Sequence, residues 1–319
     1  MNCNWLTKAT LQEGITAIGK YAFCNTGISN IHIPATVKAI DDYAFASCAK
    51  LDGVVIPANT LEIGDYCFAY CTTLNNVTFE DHATDKYTTL GTHIFYNCSA
   101  MTQVALPNAF RNTLEEQIAI SGYSTKHLTG AIPSYMFAGT GIVEAVLPTS
   151  VDLYYTEGVF ANCKNLVRIV LMDQPTAYTG YVVDMVYQCY NGTWLDGCDQ
   201  FEYFYTQHFT GDMAYIVPIL DRGGAYELHM DTVFSQEPGA KYTVFHSAAR
   251  FNWASAQFRL YFDKATYEEI IPCFETINTH WDIRVFDKNG YELISDEETG
   301  AVAYVLDTEG NKVWEASKA

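Results

Sequence analysis

The feature that most constrains the fold of this chain is a short unit that occurs seven times along it. Aligned on an aromatic position, the unit reads I-x-x-x-A-F-x-x-C-x-x-L-x-x-I-x-I-P. A seventh, more divergent copy has Leu195 at the aromatic position and Cys198 three residues later. The basic step of 22 to 23 residues is typical of solenoids, in which each unit forms one coil. The phenylalanines of the other six copies are Phe23, Phe45, Phe68, Phe95, Phe137 and Phe160.

The end of each unit predicts a short strand. In Val54-Val55-Ile56 the first and third residues point to one face of a sheet and Val55 to the other. One coil cannot bury such apolar residues alone, so we expect the coils to stack and their strands to form a parallel sheet. Proline after the strand lacks a backbone donor and ends it. The other predicted inward pairs are Ile31 and Ile33, Val77 and Phe79, Val104 and Leu106, and Ile169 and Leu171.

The unit as it stands in AFASCAKLDGVVIP, Ala44 to Pro57, resembles the BspA-type leucine-rich repeats of surface proteins from anaerobic bacteria and some protists. The segment from Leu51 to Leu61 also fits the general pattern L-x-x-L-x-L-x-x-N-x-L. The resemblance covers about three fifths of the chain and implies a repeat α/β solenoid with a parallel concave sheet over residues 11–209. It further implies a role in adhesion or protein binding at the cell surface, with no catalysis by the repeats.

The cysteines follow the repeat. Four of them lie three residues after a phenylalanine of the unit, which indicates a packing role and favours buried free thiols over disulfides. No Cys-x-x-Cys pair has a matching second pair or histidine partners, so we predict no structural zinc, no other metal and no cofactor. The four residues are Cys48, Cys71, Cys98 and Cys163.

The charge balance limits the classes of partner. The chain has 18 basic and 37 acidic residues, a net charge of −19, which would repel nucleic acid and anionic membrane surfaces. No run of eighteen apolar residues occurs, so we predict no transmembrane segment. Residues 1–10, the N-terminal lead-in, lack the features of a signal peptide. The chain is therefore either cytoplasmic or, as the resemblance favours, a cell-surface or extracellular protein whose leader has been removed.

Three gaps between units carry insertions, near residues 80–89, 108–130 and 172–194. The first is a polar loop. The second contains the capping box Thr113-x-x-Glu116 and predicts a short amphipathic helix. The third is rich in tyrosine, and insertions in repeat proteins often bind partners, although a simple tolerated loop is the alternative. The predicted surface of the third insertion consists of Tyr178, Tyr181 and Tyr187.

Residues 210–319 lose the repeat and predict a small α+β domain that caps the solenoid. Alternating runs predict strands over 214–219, 226–233, 242–246 and 258–262. A helix-like spacing then links Tyr267, Ile270, Phe274 and Ile277, with a kink or a new start at Pro272. Two hairpins with turns at DKNG and DTEGN complete the segment.

Chemical motifs point away from catalysis. No nucleophile elbow, zinc-protease motif or phosphate loop occurs, so we predict that the chain is not an enzyme. Cys273 with His280 could form a nucleophile pair, but the apolar neighbours of Cys273 favour a core position. Asp287-x-Asn289-Gly290 fits a hairpin turn better than a calcium loop. The sequons at Asn76, Asn97 and Asn191 are explained by chance.

The outward positions of the predicted strands form a candidate partner-binding stripe, although small residues chosen for close strand packing explain it equally well. We hypothesise a non-enzymatic cell-surface or secreted adhesion protein that binds an extracellular protein through the solenoid. The alternative is a carbohydrate-binding surface protein with its site in the C-terminal domain, at Trp253, Trp281 and Trp314. The stripe consists of His32, Val55, Thr78, Ala105, Val146 and Val170, with Arg168 beside it.

Overall fold

The computed structural model divides the chain into two compact units. Unit 1 contains Met1–Val167 and Gln174–Phe201, and unit 2 contains Arg168–Asp173 and Glu202–Ala319. The residues that the structure describes are 3–82, 86–107, 109–112, 132–148, 156–172, 194–209, 225–233, 241–244, 257–277 and 282–317.

Short parallel strands run through unit 1. One ladder joins β1, β2, β4, β6 and β7 in that order, and a second joins β3 to β5, with Val55 opposite Thr78. Every pairing in these ladders is parallel and links one coil to the next, as the repeat predicts. The strands are β1 Ala17–Ile18, β2 Ala39–Ile40, β3 Gly53–Ile56, β4 Glu62–Ile63, β5 Asn76–Phe79, β6 Thr88–Leu90, β7 Phe110–Asn112 and β8 Glu144–Pro148.

The arc around each repeat phenylalanine is a series of turns and not a helix. The N–H groups of Phe45 and Ser47 donate to the carbonyls of Cys67 and Ala69 in the next coil, at 2.9 and 2.8 Å. Ala46 between them donates within its own coil, to Tyr43 at 3.1 Å. An α-helix uses each N–H group inside its own segment, so this alternation between coils excludes one here. The α/β expectation is therefore corrected to a solenoid of parallel strands and turns.

Aromatic rings form a column through the centre of unit 1. The repeat phenylalanines stack in order with ring centroids 5.2 to 5.9 Å apart. The column ends at Trp194, which meets Phe160 edge to face at 5.9 Å. Phe160 donates its N–H to the Trp194 carbonyl, as Phe45 does to Cys67, so Leu195 occupies the phenylalanine position as predicted.

A second column consists of the repeat cysteines. Each buried thiol donates to the carbonyl of the phenylalanine one coil earlier, at 2.9 to 3.1 Å. Thr26 and Thr140 hold the same position in two other coils, and their hydroxyls lie 3.3 and 3.2 Å from the next cysteine sulfur. The prediction of buried free thiols is confirmed for this column. Its cysteines are Cys48, Cys71, Cys98, Cys163 and Cys198.

Unit 2 is built on a mostly parallel sheet. Its order is β9, β10, β11, β13 and β15, all parallel, followed by β16, β17 and β18, which are antiparallel. β12 and β14 form a separate parallel pair. The elements are β9 Arg168–Met172, β10 Tyr203–Phe209, β11 Ala225–Val233, β12 Tyr242–Val244, β13 Gln257–Phe262, α1 Tyr267–Ile270, a 3-10 turn Ile271–Cys273, β14 Phe274–Ile277, β15 Asp282–Phe286, β16 Glu292–Ser295, β17 Val302–Leu306 and β18 Lys312–Glu315.

One row of apolar residues crosses this sheet. Strands β9 and β10 come from the last two repeat copies, and β11, β13 and β15 come from the segment without a readable repeat. All members of the row are 3 % exposed or less. The described strands β11, β13 and β15 thus add to the parallel sheet begun by β9 and β10. This arrangement replaces the separate α+β domain that we expected for residues 210–319. The row contains Ile169, Phe204, Leu228, Leu260, Val285, Leu293 and Val305.

The helix expected around Pro272 is mostly absent from the described residues. α1 has four residues, begins at a capping box between Thr266 and Glu269, and gives way to the 3-10 turn that contains Pro272. Phe274 onwards is a strand that pairs with β12, because proline cannot continue the helical hydrogen bonds. The two predicted hairpins are present as β15–β16 and β17–β18.

The described parts of the insertions are short. The first insertion ends in β6 and contains the buried residue His82. The Nδ1 atom of His82 lies within hydrogen-bond distance of the Ala58 carbonyl, and its Nε2 atom lies 2.6 Å from Thr88 Oγ1. In the second, Phe110–Asn112 pairs with β6. The predicted helix at Thr113–Glu116 and the tyrosines of the third insertion, Tyr178, Tyr181 and Tyr187, lie outside the described residues.

Candidate binding surfaces

The strand face of unit 1 carries most of the predicted stripe. His32 and Thr78 are exposed, Val55 is 51 % exposed and Val146 is 41 % exposed. Ala105 is half-buried. Val54 and Ile56 are buried on the opposite face, which confirms the predicted alternation on β3. The inward residues of the next coils, Val77 with Phe79 and Val104 with Leu106, are half-buried.

The remaining two stripe residues lie on β9 of unit 2 and differ from the others. Val170 is 7 % exposed, so it does not present the exposed surface that we expected. Its register neighbour on the same face is Tyr205, whose side chain is much larger. Arg168 is exposed and donates from Nη1 to Tyr203 Oη at 2.8 Å. Of these two residues, Arg168 is therefore exposed and Val170 is not.

An aromatic ladder, defined as Tyr203, His229, Tyr261 and Phe286, occupies this face of the unit 2 sheet. His229 stacks on Tyr261 at 4.6 Å and 14°, and Tyr261 stacks on Phe286 at 4.9 Å and 14°. Tyr203 lies diagonally against His229, with centroids 4.7 Å apart and a 51° angle. These separations match the spacing of neighbouring strands. His229, Tyr261 and Phe286 therefore stand with their faces against one another, and Tyr203 is tilted against the end of this stack.

Ion pairs surround the aromatic ladder. Arg259 pairs with Asp282 at 3.2 Å, Arg284 pairs with Glu292 at 2.5 Å, and His229 Nδ1 lies 3.1 Å from Asp263. The Arg284 guanidinium also lies over the Phe286 ring at 5.1 Å. These contacts restrict the long side chains before any partner arrives, which lowers the entropy lost on binding.

Two hydroxyls in the same region are held as donors. Tyr205 donates to Asp231 Oδ1 at 2.7 Å, and Tyr261 donates to Glu227 Oε1 at 3.4 Å. Burial, reinforced by Asp231, raises the pKa of Tyr205 to about 12. Burial also raises the pKa of Tyr261. Both tyrosines are therefore neutral near pH 7 and present polar edges suited to recognition.

Sequence reasoning missed the aromatic ladder because the strands that carry His229, Tyr261 and Phe286 were predicted without their pairing partners. A usable signal was present. Each member sits at an outward position, one residue away from a buried partner such as Leu228, Leu260 or Val285. Had the strands of 225–286 been placed in one parallel sheet, this alternation would have aligned the rings.

The candidate chemical residues do not form a catalytic site in the described part of the chain. Cys273 is half-buried and donates to the Glu269 carbonyl at 3.4 Å, and burial raises the pKa of its thiol. Its suggested partner, His280, lies outside the described residues. Asp287 is buried and accepts from the N–H groups of Asn289 and Tyr291 at 2.8 and 2.9 Å, as a hairpin turn requires.

Within the described ranges no cluster of His, Cys, Asp or Glu could hold a metal ion. In the same ranges no helix has the length and apolar character needed to cross a membrane. Trp314 is half-buried on β18, whereas Trp253 and Trp281 lie outside the described residues. Asn76 is exposed on β5, Asn97 is half-buried, and Asn191 is not described.

Coils joined by parallel strands, a central phenylalanine column and an exposed strand face define a leucine-rich repeat solenoid. The family model described as "BspA type Leucine rich repeat region" matches residues 1–121 and 124–212, with six copies. Because the match spans about two thirds of the 319 residues, the chain belongs to this family. The resemblance drawn from the repeat is confirmed.

Solved structures of bacterial leucine-rich repeat proteins are similar at low identity. A protein from Bacteroides ovatus is 15 % identical, with a TM-score of 0.43 over 90 % of this chain and 70 % of that one. The T. pallidum leucine-rich repeat protein is 18 % identical, with a TM-score of 0.40 over 66 % and 89 %. A leucine-rich cell surface protein from Faecalibacterium prausnitzii is 15 % identical, with a TM-score of 0.20 over 64 % and 83 %. No curated protein matches the chain.

Proposed function

We propose that this chain is a non-enzymatic binding protein of the cell surface or the extracellular space that recognises a protein partner through its strand faces. The observation that carries the proposal is the aromatic ladder of unit 2 together with its flanking arginines. Tyrosine and arginine are the residues that most often dominate the energy of protein interfaces. Membership of the BspA-type family supports the surface location, since such repeats are found in surface proteins.

The geometry favours a protein over a glycan as the partner. A sugar ring stacks on a free aromatic face, but His229, Tyr261 and Phe286 use their faces against each other. The half-buried rings lie among a hydroxyl group and ion pairs. A protein surface with its own hydrogen-bonding groups complements these groups.

The exposed valines of unit 1 are a second surface that supports protein binding. Val55 and Val146 are branched apolar side chains at outward strand positions, where contact with water carries a free-energy cost. A partner that covers them removes that cost. We therefore expect Val55→Arg and Val146→Arg to weaken binding with little change in melting temperature, because both positions are exposed.

The test is a binding screen of the full chain against a panel of extracellular-matrix proteins and a glycan array. We expect capture of a protein, and a loss of affinity of about tenfold or more for Tyr261→Ala. Tyr87→Ala is the matched control, since Tyr87 is an exposed tyrosine in unit 1. Capture of glycans alone, or an unchanged affinity for Tyr261→Ala, Val55→Arg and Val146→Arg together, would overturn the proposal.

A further inference from the structure

The seven coils of unit 1 provide an internal comparison at one backbone position. The residue two places after each repeat phenylalanine has a left-handed conformation, with φ between 57° and 74°. Asparagine and glycine adopt this conformation at the lowest cost. Five coils have asparagine or glycine there and one has the small residue Ser47, whereas the remaining coil has Tyr70, which is 45 % exposed. The residues at this position are Asn25, Ser47, Tyr70, Asn97, Gly139, Asn162 and Gly197.

The neighbouring coil departs from the repeat at the adjacent position. One residue after the phenylalanine, most coils have a small side chain, and one coil has Tyr96. Alanine at this position is compatible with the fold in four coils, so stacking of the coils does not require a large ring there. The residues are Cys24, Ala46, Ala69, Tyr96, Ala138, Ala161 and Asp196.

These two exceptional tyrosines meet each other. Tyr70 and Tyr96 contact edge to face, with centroids 5.5 Å apart at 74°. Tyr96 also meets Tyr66 at 6.4 Å and 66°, and His93 at 5.4 Å and 55°. Together, Tyr66, Tyr70, His93 and Tyr96 form the four-ring cluster. Tyr66 and His93 use their ring faces in stacking, whereas Tyr70 is 45 % exposed and Tyr96 is half-buried, so these two rings offer the surface that a ligand could reach.

The electrostatics of the four-ring cluster favour a cation. The faces of aromatic rings attract positive charge. Asp65 lies close enough to add a negative charge, since its field contributes to the raised pKa of Tyr66, after burial and the neighbouring tyrosines. Burial lowers the pKa of His93, so the imidazole is neutral near pH 7 and does not repel a cation. The net charge of −19 further favours a basic partner.

The same stack of rings already carries a cation at its first member. Tyr66 continues a stack with Tyr43 and Tyr21, at 4.9 and 5.0 Å. The Lys20 ammonium lies 5.7 Å from the centroid of the Tyr21 ring, while it pairs with Asp42 at 2.9 Å. A tyrosine face and an aspartate thus hold a lysine at this end, and the four-ring cluster repeats both components beside Asp65.

We propose that the four-ring cluster binds a lysine or arginine side chain from a basic segment of a protein partner. This surface lies on the turn side of the coils and does not depend on the strand faces assigned above. The partner's cation contacts the rings of Tyr70 and Tyr96, and Asp65 supplies the opposite charge.

The probe is a capped peptide of alternating lysine and glycine, titrated into the full chain by calorimetry at an ionic strength of about 0.15 M. We expect Tyr70→Asn and Tyr96→Ala each to lower the affinity about tenfold. Asparagine already occupies the position of Tyr70 in three other coils, so Tyr70→Asn removes the ring without disturbing the fold. Tyr70→Phe retains the ring and should retain binding. Thermal melts of each variant verify folding.

The controls separate the cluster from general attraction to an acidic protein. None of these substitutions changes the charge, so a peptide held only by the net charge would bind all variants equally, and that result would overturn the proposal. Absence of binding to the unmodified chain, or an equal loss for the control Tyr87→Asn, would also overturn it. Tyr261 belongs to the aromatic ladder and not to the four-ring cluster, so Tyr261→Ala should bind the peptide normally. The two proposals can therefore fail independently of each other.

Discussion

The thiol of Cys71 donates a hydrogen bond to the backbone carbonyl of Phe45, 3.1 Å away in the preceding coil. The contact links two coils through a side chain that the repeat places at the same point in each turn. It runs beside the stack of Phe45 on Phe68, whose centroids are 5.2 Å apart. Backbone, thiol and ring contacts therefore specify one register between neighbouring coils.

This relationship predicts a ranking of substitutions at Cys71. Cys71→Ala removes a buried sulfur and its hydrogen bond, and should lower the free energy of unfolding by about 1–2 kcal/mol. Cys71→Thr should cost less, because threonine occupies the same position in two coils as Thr26 and Thr140. Urea denaturation of the two variants checks the order. Equal stability of both with the unmodified chain would show that the thiol column contributes nothing.

His93 predicts a pH dependence of stability. It stacks between Tyr66 and Tyr135, at 4.2 and 4.8 Å, with Tyr96 beside it and Asp65 as the nearby charge. Burial lowers its pKa below the ordinary value of 6.5, an effect that Asp65 partly opposes. The unfolded chain therefore takes up this proton first as the pH falls. We expect stability to decrease from about pH 7.5 to about pH 5.5.

The matched variant for that experiment is His93→Tyr, since tyrosine holds the equivalent position in the coils of Tyr43, Tyr66 and Tyr135. The difference in melting temperature between the two proteins should grow as the pH falls through this window. The low-pKa carboxylates of Asp296 and Asp307 do not interfere, because their contributions are lost only at more acidic pH. A difference that is independent of pH would contradict the assignment to His93.

Gly158 predicts a steric limit on the tyrosine stack. Gly158 occupies the repeat position that Tyr135 occupies in the preceding coil, and its φ is 58°. A Cβ atom added at Gly158 would lie 2.1 Å from Cε1 of Tyr135. Gly158→Ala should therefore displace that ring and cost about 1–3 kcal/mol of stability. The control is Gly14→Ala, at φ of 97° with no atom near the added methyl, which reports left-handed strain alone. The prediction fails if both variants lose the same stability.

The apolar row of unit 2 predicts the energetic importance of Leu228. It is buried between Phe204 and Leu260 on the neighbouring strands. Leu228→Ala should cost about 3–5 kcal/mol, the range for a buried leucine that leaves a cavity. Val313→Ala, at a 40 % exposed position on β18, should change stability by less than about 0.5 kcal/mol. A small effect at Leu228 would contradict the continuous parallel sheet.

The sequence by itself determined the features that depend on local periodicity. The step of the repeat set the coil, and its phase placed Phe45 in the central column, Cys71 beside it and Val55 outside. These features are readable because each residue keeps the same environment in every copy. The hairpin turns at Asp287 and Asp307 were readable for a similar reason, since their hydrogen bonds lie within a few residues.

Only the tertiary structure decided the features that depend on distant strands and coils. The N–H of Phe45 bonds to the next coil, which replaces the expected helical element with turns. Phe274 pairs with β12, so its helix-like spacing yields a strand. The aromatic ladder and the four-ring cluster each join residues more than 20 positions apart, and Tyr70 meets Tyr96 only because two coils stack. Spacing along one segment carries no information about such partners until the pairing is known.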